Sequence, residues 1–282
     1  RERLAAMGLA VGAPPVEALL GLLDAMAAEP QNLTAITDPL EAVDRHLADS
    51  LAALALPEVA SAAACVDVGS GGGFPGLALA AARPGMAVTL VESERRKADW
   101  LRRASAGFPN VRVVADRSEH LATAERERWP LATARALAPP AVALELTAPL
   151  VEVGGAVVLW RGDDPGPDPD AQAAAAALGL EPRPPVRVEP FPGARRRLQA
   201  FAKVGPTPAR FPRRPGRACC WWTWIRRRTP PAASGPPGAT GPPPRTCCST
   251  GCPSPRRSCR RAFPTSTSCR PHPTSRAPPS SC

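Results

Sequence analysis

The stretch Val66-Asp67-Val68-Gly69-Ser70-Gly71-Gly72-Gly73-Phe74-Pro75-Gly76 constrains this chain more than any other segment. Five glycines in eight positions cannot lie in a regular element without a large entropic cost, and their use is a backbone that turns sharply or admits a close neighbour. The short apolar run Cys65–Val68 before them reads as a buried strand. The apolar stretch from Pro75 to about Ala82 reads as a helix, with proline in the first turn, where its missing N–H costs nothing. The segment is therefore a strand, a glycine turn and a helix, the context in which a glycine loop binds a ligand. A plain tight turn is the competing reading.

The surrounding pattern repeats this unit. Pro15–Ala28 spaces Val16, Leu19, Leu20, Leu22, Leu23 and Met26 as an N-terminal helix, and Asp38-Pro39 opens a second over Leu40–Leu56. Strands are predicted at Ala87–Val91, Val111–Ala115, Leu131–Thr133 and Ala156–Trp160, with helices at Glu94–Ala106, Pro139–Leu150 and Ala171–Leu180. Val186–Glu189 and Leu198–Val204 read as a closing antiparallel pair. Repeated βα units imply a mainly parallel sheet covered on both faces. The expected fold is an α/β, Rossmann-like sheet, residues 61–217, under an N-terminal helical cap, residues 1–60.

The ligand follows from the acids around the loop. Gly71-x-Gly73-x-x-Gly76 matches the dinucleotide fingerprint, and Glu92, 16 residues beyond Gly76, ends the next strand where it can accept from a ribose. Asp67, however, stands two residues before the first glycine. A carboxylate at the end of a buried strand needs a partner, either a ligand amine or the N–H groups of the loop. Asp-x-Gly-x-Gly-x-Gly with a later acid is the pattern of proteins that bind S-adenosyl-L-methionine (AdoMet). That ligand is favoured, with a nicotinamide dinucleotide as the alternative.

Charge and cysteine both divide the chain in two. There are 35 Lys+Arg against 25 Asp+Glu, yet ten of the arginines and no acid lie after Ala218, so the first 218 residues balance. Eight of the nine cysteines also lie there, leaving Cys65 alone as a small core residue in a strand. A body with one cysteine is not a disulfide scaffold and fits a reducing compartment. The start, Arg1-Glu2-Arg3 followed by Leu4–Ala13, only faintly resembles a signal peptide, and no apolar run is long enough to span a bilayer. Residues 218–282 lack Leu, Val, Met, Tyr and every acid, and their cysteines are not spaced as a zinc site. Such a segment is expected to be disordered, an arginine-rich arm for RNA, or an out-of-frame translation of GC-rich DNA, the last best matching the abrupt loss of whole residue classes.

Motifs spread along the body carry a resemblance. Asn32-Leu33-Thr34, Asp38-Pro39, Arg45-His46-Leu47-Ala48-Asp49-Ser50 and the Gly69–Gly76 loop ending Phe-Pro-Gly resemble the bacterial small-subunit rRNA guanine-N7 methyltransferases, also called glucose-inhibited division protein B. Asp116-Arg117-Ser118-Glu119, Thr133-Ala134-Arg135-Ala136, Glu152-Val153-Gly154-Gly155, Trp160-Arg161-Gly162 and Phe211-Pro212-Arg213-Arg214-Pro215-Gly216 follow in the same order. The resemblance covers about Leu19 to Arg217. It implies an AdoMet-dependent enzyme acting in the cytoplasm on 16S rRNA or an assembling small ribosomal subunit, with no metal and no membrane. It also implies cofactor contacts at Gly69, Phe74, Glu92, Ser118, Glu119 and Arg135, beside the Asp67 and Gly71 that the loop pattern itself suggests, with Arg135 a pocket arginine and the one candidate for a catalytic part. The family usually has Asp where Pro130 stands, so a disturbed start to the fourth strand is expected.

Guanine N7 carries a free lone pair, so its methylation requires no general base, only proximity and in-line aim. Ala138-Pro139-Pro140-Ala141 stands where amino-group methyltransferases carry Asn/Asp-Pro-Pro-aromatic, which disfavours an exocyclic amine as acceptor. Arg195, Arg196 and Arg197, with Arg213 and Arg214, are the expected RNA contacts, a solvated turn being the alternative. His46 is read equally as a ligand contact or a structural hydrogen-bonder, and His120 as a surface residue. A small-molecule methyltransferase of the same fold, or a non-catalytic RNA-binding protein, are the rival functions.

Overall fold

The computed structural model describes residues 13–30, 33–163, 166 and 168–212. The chain divides into two compact units, Arg1–Pro230 and Pro231–Cys282, and every described residue belongs to the first. Asn32, Arg213, Arg214 and the 218–282 tail of the sequence reading lie outside the described residues, as does the segment before Ala13.

Helix α1, Ala13–Ala27, buries Val16, Leu19, Leu22, Leu23 and Met26 on one face at helical spacing, whereas Leu20 points outward at 46% exposure. A second helical run, α2, spans residues 39–51. Asp38 caps it by accepting from the Glu41 amide at 2.7 Å, with Pro39 in the first turn. The run begins as α-helix at Pro39–Ala42, widens to a π-helix at Val43–Ala48 and returns to α at Asp49–Leu51. Such widened turns re-aim side chains and recur at functional sites. A 3-10 turn and a short helix, α3 (Pro57–Ser61), lead into the sheet.

The sheet contains β1 (Ala64–Val68), β2 (Ala87–Val91), β3 (Val111–Val114), β4 (Trp129–Arg135), β5 (Val151–Arg161), β6 (Leu180–Pro182), β7 (Val186–Val188) and β8 (Arg196–Lys203). Its order is β3-β2-β1-β4-β5-β8-β6, with β7 also paired to β8. The first five strands are parallel and the last three run antiparallel to their neighbours. Helices α4 (Gly76–Ala82), α5 (Arg95–Ala104), α6 (Ser118–Ala124), α7 (Pro140–Thr147) and α8 (Pro169–Ala177) make the crossovers. The mainly parallel α/β fold expected from the sequence is the one formed. The expected closing pair is instead a three-strand antiparallel edge in which β8 lies between β5 and the β6–β7 side.

Two apolar layers sandwich the sheet. One joins Cys65, Leu90, Leu131, Val158 and Leu198 to α1, α2, α4 and α5, so the helical cap and the sheet share a core. The other joins Val66, Ala132, Val157, Leu159 and Phe201 to α6, α7 and α8. Successive strand residues alternate between these layers. By that alternation Asp67, Thr133, Arg135, Trp160 and Arg196 face the cap, and Arg161 and Arg197 face α8.

Pro130 does not shorten β4, which starts at Trp129, two residues before the expected Leu131. The register against β5 shifts between Trp129 and Leu131, a bulge that leaves the missing proline N–H without a ladder bond to make. Gly155 on β5 completes the device, since a Cβ there would lie 2.5 Å from the Pro130 carbonyl oxygen. Among the described residues no helix is long and apolar enough to cross a membrane.

Candidate functional site

The strand order reverses between β1 and β4, and the crevice outside the carboxyl ends of these strands is where open parallel sheets bind ligands. Asp67 lies just beneath that crevice, only 1% exposed. Its Oδ1 accepts from the Thr133 hydroxyl at 2.8 Å across the β1–β4 pair, and its Oδ2 accepts from the Gly76 amide at 3.3 Å. Burial pushes its pKa up, and these two bonds and the nearby Arg135 charge oppose that shift. Asp67 thus clamps the exit of the loop to the neighbouring strand. Of the two partners the sequence allowed it, one N–H of the loop, that of Gly76, is bonded to it. Gly76 is required beside it: a Cβ there would meet Leu90 and stand 2.9 Å from Asp67 Oδ2.

Gly69, Gly71 and Gly73 have φ of +72°, +55° and +105°, and a Cβ would also collide with Leu137 at Gly69 and stand 2.6 Å from Leu77 at Gly73, so glycine is needed at those two positions. The Trp100 indole donates to the Gly72 carbonyl at 3.2 Å and pins the loop from α5. Glu92, at the end of β2, accepts from the Gly71 amide at 3.0 Å and from the Glu94 amide at 2.8 Å, one through each carboxylate oxygen. A cleft of about 100 Å³ opens beside Gly69, with Asp116, Arg117, Ser118 and Glu119 on one wall and Leu137 on the other. Arg117 holds the Glu119 carboxylate at 2.8 Å, and Ser118 donates to it at 3.4 Å. The structure brings Gly69, Ser118 and Glu119 to this one cleft, with Gly71 and Glu92 bonded together at the loop that borders it.

On the cap side of the loop stands a second group. The Phe74 ring stacks on His46 at 5.0 Å with 11° between planes, and the Arg135 guanidinium lies 5.9 Å from the Phe74 centroid. Arg135 donates to Asp49 Oδ2 and to the Arg45 carbonyl, both at 3.0 Å. Arg196 donates to the other oxygen, Asp49 Oδ1, also at 3.0 Å, and the Trp160 indole donates to the Asp49 carbonyl at 2.8 Å. The buried Asp49 carboxylate therefore joins α2 to β4 and β8, and the carbonyl of the same residue joins it to β5. Asp49, Trp160 and Thr34 were not singled out as site residues in the sequence, though the Arg-His-Leu-Ala-Asp-Ser motif contains the first.

His46 shares Thr34 Oγ1 at 3.0 Å through Nε2. Burial, and secondarily the Arg135 charge, lower its pKa to about 4. Its neutral ring therefore remains neutral in the folded state while the unfolded chain takes up a proton below its ordinary value of 6.5. Folding stability is full above that value and falls as pH drops from 6.5 towards 4. His46→Gln is expected to flatten this part of the stability-against-pH curve, followed by urea unfolding. An unchanged slope would show that His46 titrates in the native state like an exposed histidine.

The arginines expected to form one RNA patch are separated by strand alternation. Arg195 precedes β8, is 82% exposed and lies 3.6 Å from Asp163. Arg196 turns to Asp49 and Arg197 turns to the opposite face. His120, expected at the surface, pairs with Asp116 at 2.9 Å on exposed ground. Cys65 is fully buried, and burial raises its thiol pKa well above the ordinary range. Among the described residues no group of three or more His, Cys, Asp or Glu is placed to hold a metal ion.

The chain is 43% identical over 167 residues to the ribosomal RNA small subunit methyltransferase G of Sorangium cellulosum, covering 57% of this chain and 70% of that protein. It is 38% identical over 228 residues to the protein of the same name from Symbiobacterium thermophilum, covering 76% and 93% respectively. Among solved structures, a 1,6-didemethyltoxoflavin-N1-methyltransferase from Burkholderia thailandensis superposes with a TM-score of 0.47 at 18% identity, over 70% of this chain and 92% of that one. The family model described as rRNA small subunit methyltransferase G (GidB) matches residues 17–179, more than half of the chain. This chain belongs to the rRNA small subunit methyltransferase G family.

Proposed function

We propose that this chain transfers a methyl group from AdoMet to N7 of a guanine in 16S rRNA, in the cytoplasm, where small ribosomal subunits assemble. The observation that carries the reading is the glycine loop at the β1–β4 switch point, bordered by Glu92 at the end of β2 and by the cleft of Ser118 and Glu119. The residues suit AdoMet. A Cβ on Gly71 would meet nothing nearer than the Gly69 carbonyl at 3.8 Å, so the space above the loop is open. Each Glu92 oxygen spends one acceptor site on a backbone amide and keeps another for a ribose hydroxyl. The Ser118 hydroxyl and the backbone around Glu119 would select the adenine edge.

AdoMet, when bound, supplies an electrophilic methyl group. The chain's part is to position its acceptor. Asp67 holds the loop in shape from below, and Phe74 with Arg135 forms the wall on which a planar base would rest. Arg135 is held rigid by Asp49 and presents a charge that favours an electron-rich ring atom. Immediately after β4 come Ala136, Leu137 and Ala138, none with a side-chain acceptor for a departing proton. N7 of guanine loses no proton on methylation, so positioning and desolvation suffice. Arg195 would contact a phosphate and orient the RNA, whereas the choice of guanine rests with the pocket. Arg213 and Arg214 would act with it.

The test is incubation of the full chain with isotopically labelled AdoMet and small-subunit rRNA from a strain lacking the modification, naked and as 30S particles, followed by nucleoside mass spectrometry. Label in 7-methylguanosine is the expected result. Label only in a metabolite pool would favour the small-molecule reading, and AdoMet binding without any transfer would favour a non-catalytic RNA-binding protein.

A further inference from the structure

Three arginines form one cross-strand row where β5, β8 and β7 meet. Arg161 is opposite Arg197 in register, and Arg197 is opposite Arg187. Residues directly opposed on antiparallel strands share a face, and like charges in such positions repel. Asp168, the N-cap of α8, offsets part of this through an ion pair to Arg161 at 3.1 Å. Arg197 and Arg187, and Arg183 between β6 and β7, make no ion pair to a carboxylate among the described residues. Arg197 Nε is moreover buried with no hydrogen-bond partner there. A buried donor left without an acceptor and a row of like charges are both unfavourable, and an anion would relieve both.

These four guanidiniums line a groove of about 550 Å³ floored by Gln199 and Phe201. The row crosses two inter-strand spacings, about 10 Å, which exceeds a single small anion and suits successive charges on a chain. Its place on the molecule is also informative. Arg135 pairs in register with Trp160, so Arg161, the next residue of β5, lies at the same rim of the sheet as the candidate site. Trp160 turns to the Arg135 side and Arg161 to the groove side of that rim.

We propose that this groove is a phosphodiester-binding subsite that holds backbone phosphates of the RNA flanking the target nucleotide. The inference rests on the reading above that the substrate is RNA. Arg183 and Arg187 bind the polyanion at the open edge, Arg197 donates its buried Nε–H at the floor, and Arg161 completes the row beside Asp168.

The test uses the full chain with polyuridylate, a probe of backbone contacts that needs no target guanine, and a separate titration with AdoMet. The double variant Arg183→Ala/Arg187→Ala removes two exposed side chains, so its fold is retained. Its affinity for polyuridylate is expected to fall about tenfold at 0.1 M salt, and the log–log salt slope to shrink by about 1.4, two phosphate contacts on a single strand. AdoMet affinity should be unchanged. Arg197→Gln should weaken polyuridylate binding in the same sense, with circular dichroism confirming the fold. Wild-type affinity and slope in the double variant would overturn the proposal, as would competition by millimolar inorganic phosphate equal to that of RNA, which would mark a small-anion site. If the arginines govern polyuridylate binding while no guanine in rRNA is methylated, the groove stands and the functional reading falls.

Discussion

Asp49→Asn is expected to lower the thermal midpoint by about 10 °C. The Asp49 side chain is 8% exposed and those of its two guanidinium partners, Arg135 and Arg196, are 16% and 29% exposed. Removing one partner of a buried charge pair leaves the other uncompensated, at a cost of about 3–5 kcal/mol. For a domain of this size each kcal/mol moves the midpoint by about 2–4 °C. Arg135→Ala supplies the contrast. It leaves Asp49 paired with Arg196, so it should cost less stability than Asp49→Asn while losing most of the methyl transfer. Scanning calorimetry of the two variants, with rates measured at 20 °C, separates the roles. A midpoint for Asp49→Asn within about 2 °C of wild type would show that solvent, not Asp49, balances the two arginines. A wild-type rate for Arg135→Ala would remove that residue from the mechanism.

Gly71→Asp should abolish AdoMet binding in a protein that still folds. The added Cβ has ordinary contact distance to its nearest neighbour, and the φ of +55° is one that Asp tolerates better than most residues. The damage falls on the ligand. The new side chain enters the open space above the loop and brings a carboxylate close to Glu92, whose Oε2 lies 3.0 Å from the Gly71 amide. Two like charges 4 Å apart near a surface repel by about 4 kcal/mol, relieved only by moving Glu92 off the loop. At least a loss of about a hundredfold in AdoMet affinity, equivalent to roughly 2.7 kcal/mol, is expected by calorimetric titration. Circular dichroism should retain the wild-type spectrum. Unchanged affinity would place the cofactor away from this loop.

Much of this molecule follows from short-range pattern. The run from Cys65 to Gly76 reads directly as strand, turn and helix, because a short apolar run and a glycine cluster ahead of a helix-forming stretch are local facts, although Pro75 stands as the N-cap of α4 and not inside its first turn. The βα repetition then dictates a parallel sheet, and Asp67 and Glu92 stand out because carboxylates at the ends of buried strands need partners. Other features escaped local reading. The strand β6 at Leu180–Pro182 and helix α6 at Ser118–Ala124 are too short to show a period. Pro130 reads as a strand breaker until the bulge against β5 and the room left by Gly155 are seen.

The fold class, the glycine loop and the acid that follows it are legible in the order of the residues alone. The meeting of Asp49 with Arg135 and Arg196, residues 86 and 147 positions away, and the service of Arg196 and Arg197 on opposite faces of the sheet come from the assembled fold. Backbone conformation is chosen by each residue and its near neighbours. The partner of a buried charge is chosen by strand order and register, which belong to the assembled sheet.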